Sequence, residues 1–175
     1  MLEITDFKIR KQLLEYSCGI AAVRSIFLYC GLSISEQELR EKIGITKDGL
    51  SHKQMRKLVR MYNFSFYSKS NSSILDIEKY LSKNIPVIVN YQSGKPNGEN
   101  GHYAVLVGYD AEYVKIADPS NYYEGDGKKF SNTKLMTRKD FLDRWWDINP
   151  NSNEDKKWMA IIKPKKKWIL KSRKE

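Results

Sequence analysis

The sequence has few of the residues that build metal sites or disulfide frameworks. Only two cysteines, Cys18 and Cys30, and two histidines, His52 and His102, occur among its 175 residues. Two cysteines exclude a disulfide framework, and the wide separation of these four side chains is not the ligand spacing of a zinc site. We therefore expect no metal and no other cofactor. Two free thiols are typical of a protein in a reducing compartment.

Long apolar runs are also missing. No stretch approaches the roughly 20 residues that a membrane-spanning helix needs, and the first twelve residues lack the apolar core of a secretory signal. A cytoplasmic location is the default expectation. The composition, with 41% hydrophobic and 12% aromatic residues, is that of a folded globular protein rather than a disordered one.

Positive charge is in excess, and much of it lies at one end. The net charge is +10, and the segment from Lys163 to the end holds seven cationic residues against one acid, Glu175. We expect one domain over residues 1–163, followed by a basic tail over residues 164–175. Such a tail attracts nucleic acid or an anionic membrane surface, or is simply a solvated terminus. No nucleic-acid-binding motif accompanies it.

Helix signals fill the first half of the sequence. Apolar residues recur at a period near 3.6 after Cys18, and Gly31 is a typical C-terminal stop. Further helices are predicted from capping residues at four positions: Ser35, Ser51, Ser73 and Thr137. In the last of these helices Phe141, Leu142 and Trp145 are expected to face the core.

Strand signals fill the second half. We predict strands over residues 86–91, 102–110, 112–118 and 158–162, with a tight turn at Asp110–Ala111 between the middle two. A Gly- and Asn-rich loop over residues 93–101 separates the first two strands and is either a gate for a substrate or a long hairpin connection. Helices followed by antiparallel strands predict the α+β class.

Cys18 is the first candidate for chemistry. It stands at the start of a predicted helix, with Ser17 as a plausible cap and Gly19 behind it. The amides and the dipole of a helix N-terminus stabilise a thiolate, which is the nucleophilic form of cysteine. Cys30 lies in the last turn of the same predicted helix, where the dipole disfavours an anion, and is expected in the core.

His102 and Asp118 are the expected partners of that thiol. His102 begins a strand directly after a turn, and Asp118 ends the next strand, sixteen residues later. Two antiparallel strands joined by a tight turn bring these positions together, so the carboxylate can hold one tautomer of the imidazole. Asp118 is alternatively only a turn residue ahead of Pro119. His52, in the first turn of a polar helix, is expected at the solvated surface.

Gln12 completes the candidate set. It lies six residues before Cys18, and its side-chain amide can donate a hydrogen bond to an oxyanion beside the backbone N–H of the nucleophile. The chain order of cysteine, histidine and acid, with the cysteine on a helix and the other two on strands, is typical of papain-like enzymes.

Three sequence blocks, QLLEYSCGIAAV, GHYAVLVGYD and IADPS, resemble the bacteriocin-processing cysteine peptidases, the thirty-ninth family of cysteine peptidases, and their stand-alone relatives. The resemblance covers about residues 8–160. The family pattern is matched at the following positions: Gln12, Cys18, Gly19, Ala21, Ala22, Gly101, His102, Tyr103, Val105, Asp118 and Pro119.

The resemblance implies a papain-like fold and hydrolysis of a peptide or protein substrate through a thioacyl intermediate, without a cofactor. It assigns catalysis to Cys18, His102, Asp118 and Gln12. The best-known members cut after a double-glycine leader and are fused to an export transporter. This sequence lacks transporter segments and has Tyr16-Ser17 where transporter-fused members typically have Asp. A processing peptidase for a leader or precursor peptide is therefore the favoured function.

Two alternatives stay open from the residues. The same triad supports an acyltransferase or a deamidase, because the thioacyl intermediate is common to these reactions. A non-catalytic peptide-binding module is the third reading, and the presence of all four site residues argues against it.

Overall fold

The computed structural model describes residues 1–94, 101–120, 133–148 and 154–165. The predicted α+β class is confirmed, with helices concentrated in the first half and strands in the second. The helices are α1 (Cys18–Tyr29), α2 (Glu36–Ile43), α3 (His52–Met61), α4 (Ile74–Leu81) and α5 (Arg138–Arg144). The strands are β1 (Leu2–Glu3), β2 (Phe64–Lys69), β3 (Val87–Gln92), β4 (Gly101–Tyr109), β5 (Tyr113–Ala117), β6 (Thr133–Thr137), β7 (Trp146–Ile148), β8 (Glu154–Lys156) and β9 (Met159–Pro164).

An antiparallel sheet organises the molecule. Its strands follow the order β2-β9-β3-β4-β5-β6, and β1 pairs with the far end of β4. Strands β7 and β8 form a separate two-stranded sheet. The hairpin of β4 and β5 turns at Asp110, whose side chain accepts hydrogen bonds from the backbone N–H groups of Glu112 and Tyr113. This hairpin therefore has the tight turn that the sequence predicts.

Side-chain caps begin four of the helices where the sequence predicts them. In each case a hydroxyl accepts a hydrogen bond from the backbone N–H three residues later, which satisfies a donor that the first turn leaves open. The capping residues are Ser35, Ser51, Ser73 and Thr137.

The expectation that Ser17 caps α1 is wrong. Ser17 occupies the N-cap position, but its hydroxyl makes no capping hydrogen bond to the helix. It donates instead to the Leu14 carbonyl and, at 2.7 Å, to the buried carboxylate of Glu36. The Ser17 backbone, with φ −102° and ψ 17°, is not in the extended conformation that the four capping residues adopt.

The core joins helices and sheet. Ile20 and Phe27 of α1 and Val89 and Leu106 of the sheet are all fully buried in one apolar cluster. Trp145 is buried in the same cluster, as predicted, and its indole N–H donates to the Trp158 carbonyl at 2.8 Å. Helix and sheet residues thus share a single interior.

No helix among the described residues has the length and apolar character to cross a bilayer. The predicted basic tail lies, beyond Lys165, outside the described residues. The same holds for residues 95–100 of the loop predicted over residues 93–101.

Candidate active site

Cys18 is the first residue of α1, and α1 packs against β4 of the sheet. Helix α1 is apolar along most of its length, with Ile20 to Val23 fully buried, so its position against the sheet is fixed by core packing. Gly19 permits this close approach, because a Cβ there would lie 3.0 Å from the Tyr103 ring and 3.1 Å from Leu50. The thiol is thereby held against the start of β4.

The thiol of Cys18 is hydrogen-bonded to the His102 imidazole. His102 lies near the start of β4 and is buried. Its Nε2 is 2.7 Å from Oδ1 of Asp118, which follows β5, and this leaves Nδ1 for the thiol. The structure thus brings together Cys18, His102 and Asp118 in a continuous hydrogen-bonded chain.

Asp118 is held by more groups than His102 alone. Its Oδ2 accepts hydrogen bonds from the Tyr91 hydroxyl at 3.1 Å and from Nζ of Lys134 at 2.9 Å, and its Oδ1 accepts from the Ser120 N–H at 2.9 Å. Sequence reasoning missed Tyr91 and Lys134. They lie on β3 and β6, and the pairing of these strands is not readable from short motifs.

The electrostatics of the three residues favour an ion pair. Burial would raise the pKa of the Cys18 thiol, but the His102 hydrogen bond and charge, with the backbone N–H groups of Tyr103 and Gly19, lower that pKa overall. Burial would lower the pKa of His102, but hydrogen bonds with Asp118 and Cys18 raise it to about 9. Although burial opposes ionisation of Asp118, its pKa is lowered by His102 and Lys134. These shifts in pKa all favour a thiolate beside an imidazolium over the neutral pair.

Gln12 is buried in the loop that leads to Cys18. Its side-chain amide donates to the carbonyls of Leu14 and Glu15, both at 2.9 Å, and its backbone N–H donates to the Pro119 carbonyl at 2.8 Å. These contacts use both amide protons and tie the Cys18 loop to the Asp118 loop. In this arrangement Gln12 shapes the site, and an oxyanion would have to compete for its donors.

The same loop is anchored from below by Glu36, which sequence reasoning also missed. This carboxylate is buried at the first turn of α2 and accepts from the Leu13 N–H and, as noted, from the Ser17 hydroxyl. An acid in the first turn of a helix is common, because its charge interacts favourably with the helix dipole. The sequence therefore offers no signal that Glu36 faces the nucleophile loop.

A cleft of about 1510 Å³ opens above Cys18 and His102. Its lining comes from residues 14–16 and 46–54, from the sheet, and from the hairpin of β7 and β8. Asp147 of β7 lies against Gly101, where a Cβ would overlap its carboxylate, so a larger residue beside His102 would displace Asp147.

The expectation that His52 is a solvated surface residue is wrong. Its side chain is 28% exposed, stacks on the Trp158 ring at 3.8 Å between centroids, and lies 3.3 Å from the Asp155 carboxylate. Burial lowers its pKa to about 4. The start of α3 faces the cleft rather than solvent because Met55, Leu58 and Val59 bury the helix against the sheet layer.

Cys30 packs against the core, partly buried, and burial raises its thiol pKa to about 11. Among the described residues, no three His, Cys, Asp or Glu side chains are grouped so as to hold a metal ion. The thiol chemistry of the chain therefore centres on Cys18.

Comparison with known proteins identifies the family of this chain. The model of the Peptidase_C39 like family matches residues 4–153. The comparison with curated proteins finds no match.

Several solved structures share the fold. The peptidase domain of Streptococcus ComA is 20% identical, with a TM-score of 0.69, over 90% of this chain and 98% of that one. A C39-like peptidase from Bacillus anthracis is 17% identical, with a TM-score of 0.67, over 94% and 98%. A double glycine motif protease from an AMS/PCAT transporter, solved with its leader peptide, is 17% identical, with a TM-score of 0.62, over 90% and 91%. The chain therefore belongs to the Peptidase_C39 like family and is a cysteine-type peptidase with a papain-like α+β fold.

Proposed function

We propose that this chain hydrolyses peptide bonds with Cys18 as the nucleophile, His102 as the general base and acid, and Asp118 as the residue that orients His102. The hydrogen-bonded chain of these three residues at the floor of an open cleft carries the proposal. The sequence of thiol, imidazole and carboxylate in this hydrogen-bonded chain, and the charges of the three groups, are those that a thiol-based acyl transfer needs.

The reaction proceeds in two halves. The Cys18 thiolate attacks the scissile carbonyl carbon, and the C–S bond forms while the carbonyl oxygen becomes an oxyanion. Collapse of this intermediate breaks the C–N bond, and the His102 imidazolium gives its proton to the leaving amine. Water, deprotonated by His102, then attacks the thioester and releases the carboxylate product and the thiolate. Asp118 keeps the ring aligned in both halves.

Gln12 and the backbone N–H of Cys18 are proposed to bind the oxyanion. The Cys18 N–H stands at the start of α1, where helix amides point outward and the dipole favours negative charge. To reach the oxyanion, the Gln12 amide gives up its hydrogen bond to one of the two loop carbonyls, that of Leu14 or that of Glu15. Such an exchange replaces a neutral acceptor by a charged one, and the hydrogen bond becomes stronger.

The substrate is proposed to be a peptide segment, such as the leader of a precursor peptide. One solved structure of the same fold holds a leader peptide, and the cleft here is lined by Cys18 and His102. Tyr16 lines the cleft next to Ser17 and Cys18, in the segment where transporter-fused members carry a different residue. We therefore propose leader or precursor processing without assigning a double-glycine cleavage site.

The test is digestion of a peptide library, read by mass spectrometry. We expect cleavage by the wild-type chain and by Cys30→Ala, and none by Cys18→Ala. Adding a small amine and scoring amide products and released ammonia separates hydrolysis from acyl transfer and deamidation. If the wild-type chain cleaves no peptide although its Cys18 is alkylated by iodoacetamide, the peptidase proposal fails.

A further inference from the structure

Tyr91 is a buried polar residue on the strand next to that of His102. The two are register partners in the pairing of β3 with β4, so their side chains lie on the same face of the sheet. Tyr91 is fully buried. The centroids of its ring and of the His102 imidazole are 6.1 Å apart, in an edge-to-face arrangement. The strand register thus sets the phenol directly beside the imidazole.

The phenol also reaches across β4 to Asp118. The strand order β3-β4-β5 places β4, which carries His102, between the strand of Tyr91 and the strand that Asp118 follows. The Tyr91 hydroxyl donates to Oδ2 of Asp118 at 3.1 Å, while Oδ1 of the same carboxylate lies 2.7 Å from Nε2 of His102. One side chain therefore contacts the imidazole and binds the carboxylate that orients it.

The hydroxyl of Tyr91 is not explained by core packing. An apolar side chain would fill this buried position without a hydroxyl that needs a partner. Among the described residues, the only hydrogen bond of this hydroxyl is the one to Asp118. Burial and the Asp118 charge raise the pKa of Tyr91, so the hydroxyl keeps its proton and remains a donor at neutral pH. Its one interaction is with the carboxylate of the triad.

The other donors to Asp118 hold the carboxylate less firmly. Lys134 is 42% exposed, so water and salt screen its charge. The Ser120 N–H lies only two residues after Asp118, and its hydrogen bond is internal to one turn. The Tyr91 hydroxyl comes from a different strand and lies away from water. It is therefore the buried donor that ties this carboxylate to the sheet.

We propose that Tyr91 is a positioning residue that holds the Asp118 carboxylate and the His102 imidazole in line for catalysis. With Oδ2 bound by the hydroxyl, Oδ1 stays directed at Nε2, and the edge of the phenol limits the tilt of the imidazole. Tyr91 does not line the cleft, so it acts through these two residues and not on the substrate. This inference rests on the proposed function and adds a residue that the reaction needs.

The first test is Tyr91→Phe, which removes the hydroxyl and keeps the ring. We expect kcat/KM for a cleaved peptide to fall by about tenfold, the effect of losing one hydrogen bond to a charged group. The loss should be the same at low and high salt, because the hydroxyl is neutral and buried. The matched control is Tyr29→Phe, which removes a hydroxyl that donates to the Asn84 carbonyl at 3.1 Å, and it should keep the wild-type rate.

A double-mutant cycle with Asp118→Ala separates positioning from packing. That substitution removes the acceptor of the Tyr91 hydroxyl. If Tyr91 acts through Asp118, Tyr91→Phe in the Asp118→Ala background should change kcat/KM by no more than about twofold. A packing role would cost the same factor in both backgrounds.

The second test follows the His102 imidazole itself and needs no turnover. The chain has only two histidines, so ¹⁵N-histidine labelling gives two sets of ring signals, which His52→Gln assigns. We expect the titration midpoint of His102 to be lower in Tyr91→Phe than in the wild-type chain, because a carboxylate out of line stabilises the imidazolium less. Tyr29→Phe should leave the midpoint unchanged. The same spectra show whether each variant is folded.

Either of two results would overturn the inference while the proposed function stands. One is a His102 midpoint that Tyr91→Phe leaves unchanged or raises. The other is a loss of kcat/KM that is equal with and without the Asp118 carboxylate. If the wild-type chain cleaves no peptide, the proposed function fails, and the His102 midpoint still decides whether Tyr91 positions the imidazole and the carboxylate.

Discussion

Asp118 accepts hydrogen bonds from four groups, and His102 is only one of them. The others fix the carboxylate in the plane that the imidazole needs, as neighbours of a positioned acid commonly do. The pairing of His102 with Asp118 was predictable because a tight turn between two short antiparallel strands brings the start of one beside the end of the other, although a bulge between Leu106 and Gly108 shifts the register. The contributions of Tyr91 and Lys134 were not predictable, because they depend on how more distant strands join the sheet.

Replacing Lys134 by Met tests how much its ion pair with Asp118 contributes to positioning that carboxylate. The Lys134 side chain is 42% exposed, so solvent screens its charge, and we expect kcat/KM to fall by only about two- to fivefold. The loss should shrink at high salt, where the charge is already screened in the wild-type chain. Lys139→Met, on the exposed surface of α5, is the matched control. A loss that is equal at low and high salt would argue against an electrostatic role.

Gln12→Ala separates oxyanion binding from loop shaping. An oxyanion donor contributes about 10²–10³ in kcat, whereas alkylation of Cys18 by iodoacetamide builds no oxyanion. We expect kcat to fall by about that factor, and the alkylation rate at fixed pH to change much less. Parallel losses of turnover, alkylation and thermal stability would instead make Gln12 a structural residue of the loop.

At the scale of elements, α2 supports the site without touching the reacting atoms. Its first residue, Glu36, is buried beneath the loop from Leu13 to Ser17. Removing its carboxylate leaves the Leu13 N–H without its acceptor, while the Ser17 hydroxyl keeps the Leu14 carbonyl. We expect Glu36→Ala to lower the free energy of unfolding by about 1–3 kcal/mol, which is the cost of one unsatisfied buried polar group.

The measurement is chemical denaturation of Glu36→Ala beside Glu38→Ala. Glu38 lies on the exposed side of the same helix, and its carboxylate accepts a hydrogen bond from the Tyr62 hydroxyl. Its removal should therefore cost less than about 1 kcal/mol. Equal destabilisation by the two substitutions would show that the buried anchor contributes nothing beyond helix-dipole effects.

The sequence revealed the elements with strong local signals and missed the others. Helices α2 to α5 begin at polar caps followed by apolar residues at helical spacing, and such caps are readable in isolation. Strands β2 and β6 were missed. They are the two edges of the main sheet and carry many exposed or half-exposed residues, so the apolar alternation is weak. Strands β7 and β8 have three residues each, too few for a pattern.

The missed strands β7 and β8 explain the error at His52. His52 lies beside Asp155 of β8 and stacks on Trp158, which follows β8 in the chain. When β7 and β8 are not predicted, the first turn of α3 is expected to be solvated.

At the scale of the whole molecule, helices and sheet share one core. The N-terminal segment also crosses to the sheet, where the Ile4 N–H donates to the Val107 carbonyl and the Gln12 N–H to the Pro119 carbonyl, both at 2.8 Å. We therefore expect one cooperative unfolding transition. Tryptophan fluorescence, which reports on the buried Trp145 and Trp158, and far-ultraviolet circular dichroism should give coincident denaturation curves. Separate midpoints would mean that the two halves of the cleft fold independently.

The account as a whole depends on a Cys18 thiolate that His102 maintains. Because the pKa of Cys18 is lowered, the thiolate persists below the ordinary thiol pKa of 9.0 and is lost only as the pH falls through the lowered value. Because the pKa of His102 is raised to about 9, its proton is present at neutral pH and is lost as the pH rises through that value. Cys30, with a pKa raised to about 11, provides an internal comparison in the same chain.

The most direct test is the pH dependence of iodoacetamide alkylation at each cysteine, resolved by peptide mass spectrometry, in the wild-type chain and in His102→Ala. The account predicts that Cys18 is alkylated much faster than Cys30 near neutral pH. It also predicts that His102→Ala moves the midpoint for Cys18 upward to about 9 or higher, since burial then acts on the thiol without the imidazolium. A Cys18 midpoint near 9 in both proteins, or equal labelling of the two cysteines at neutral pH, would contradict it.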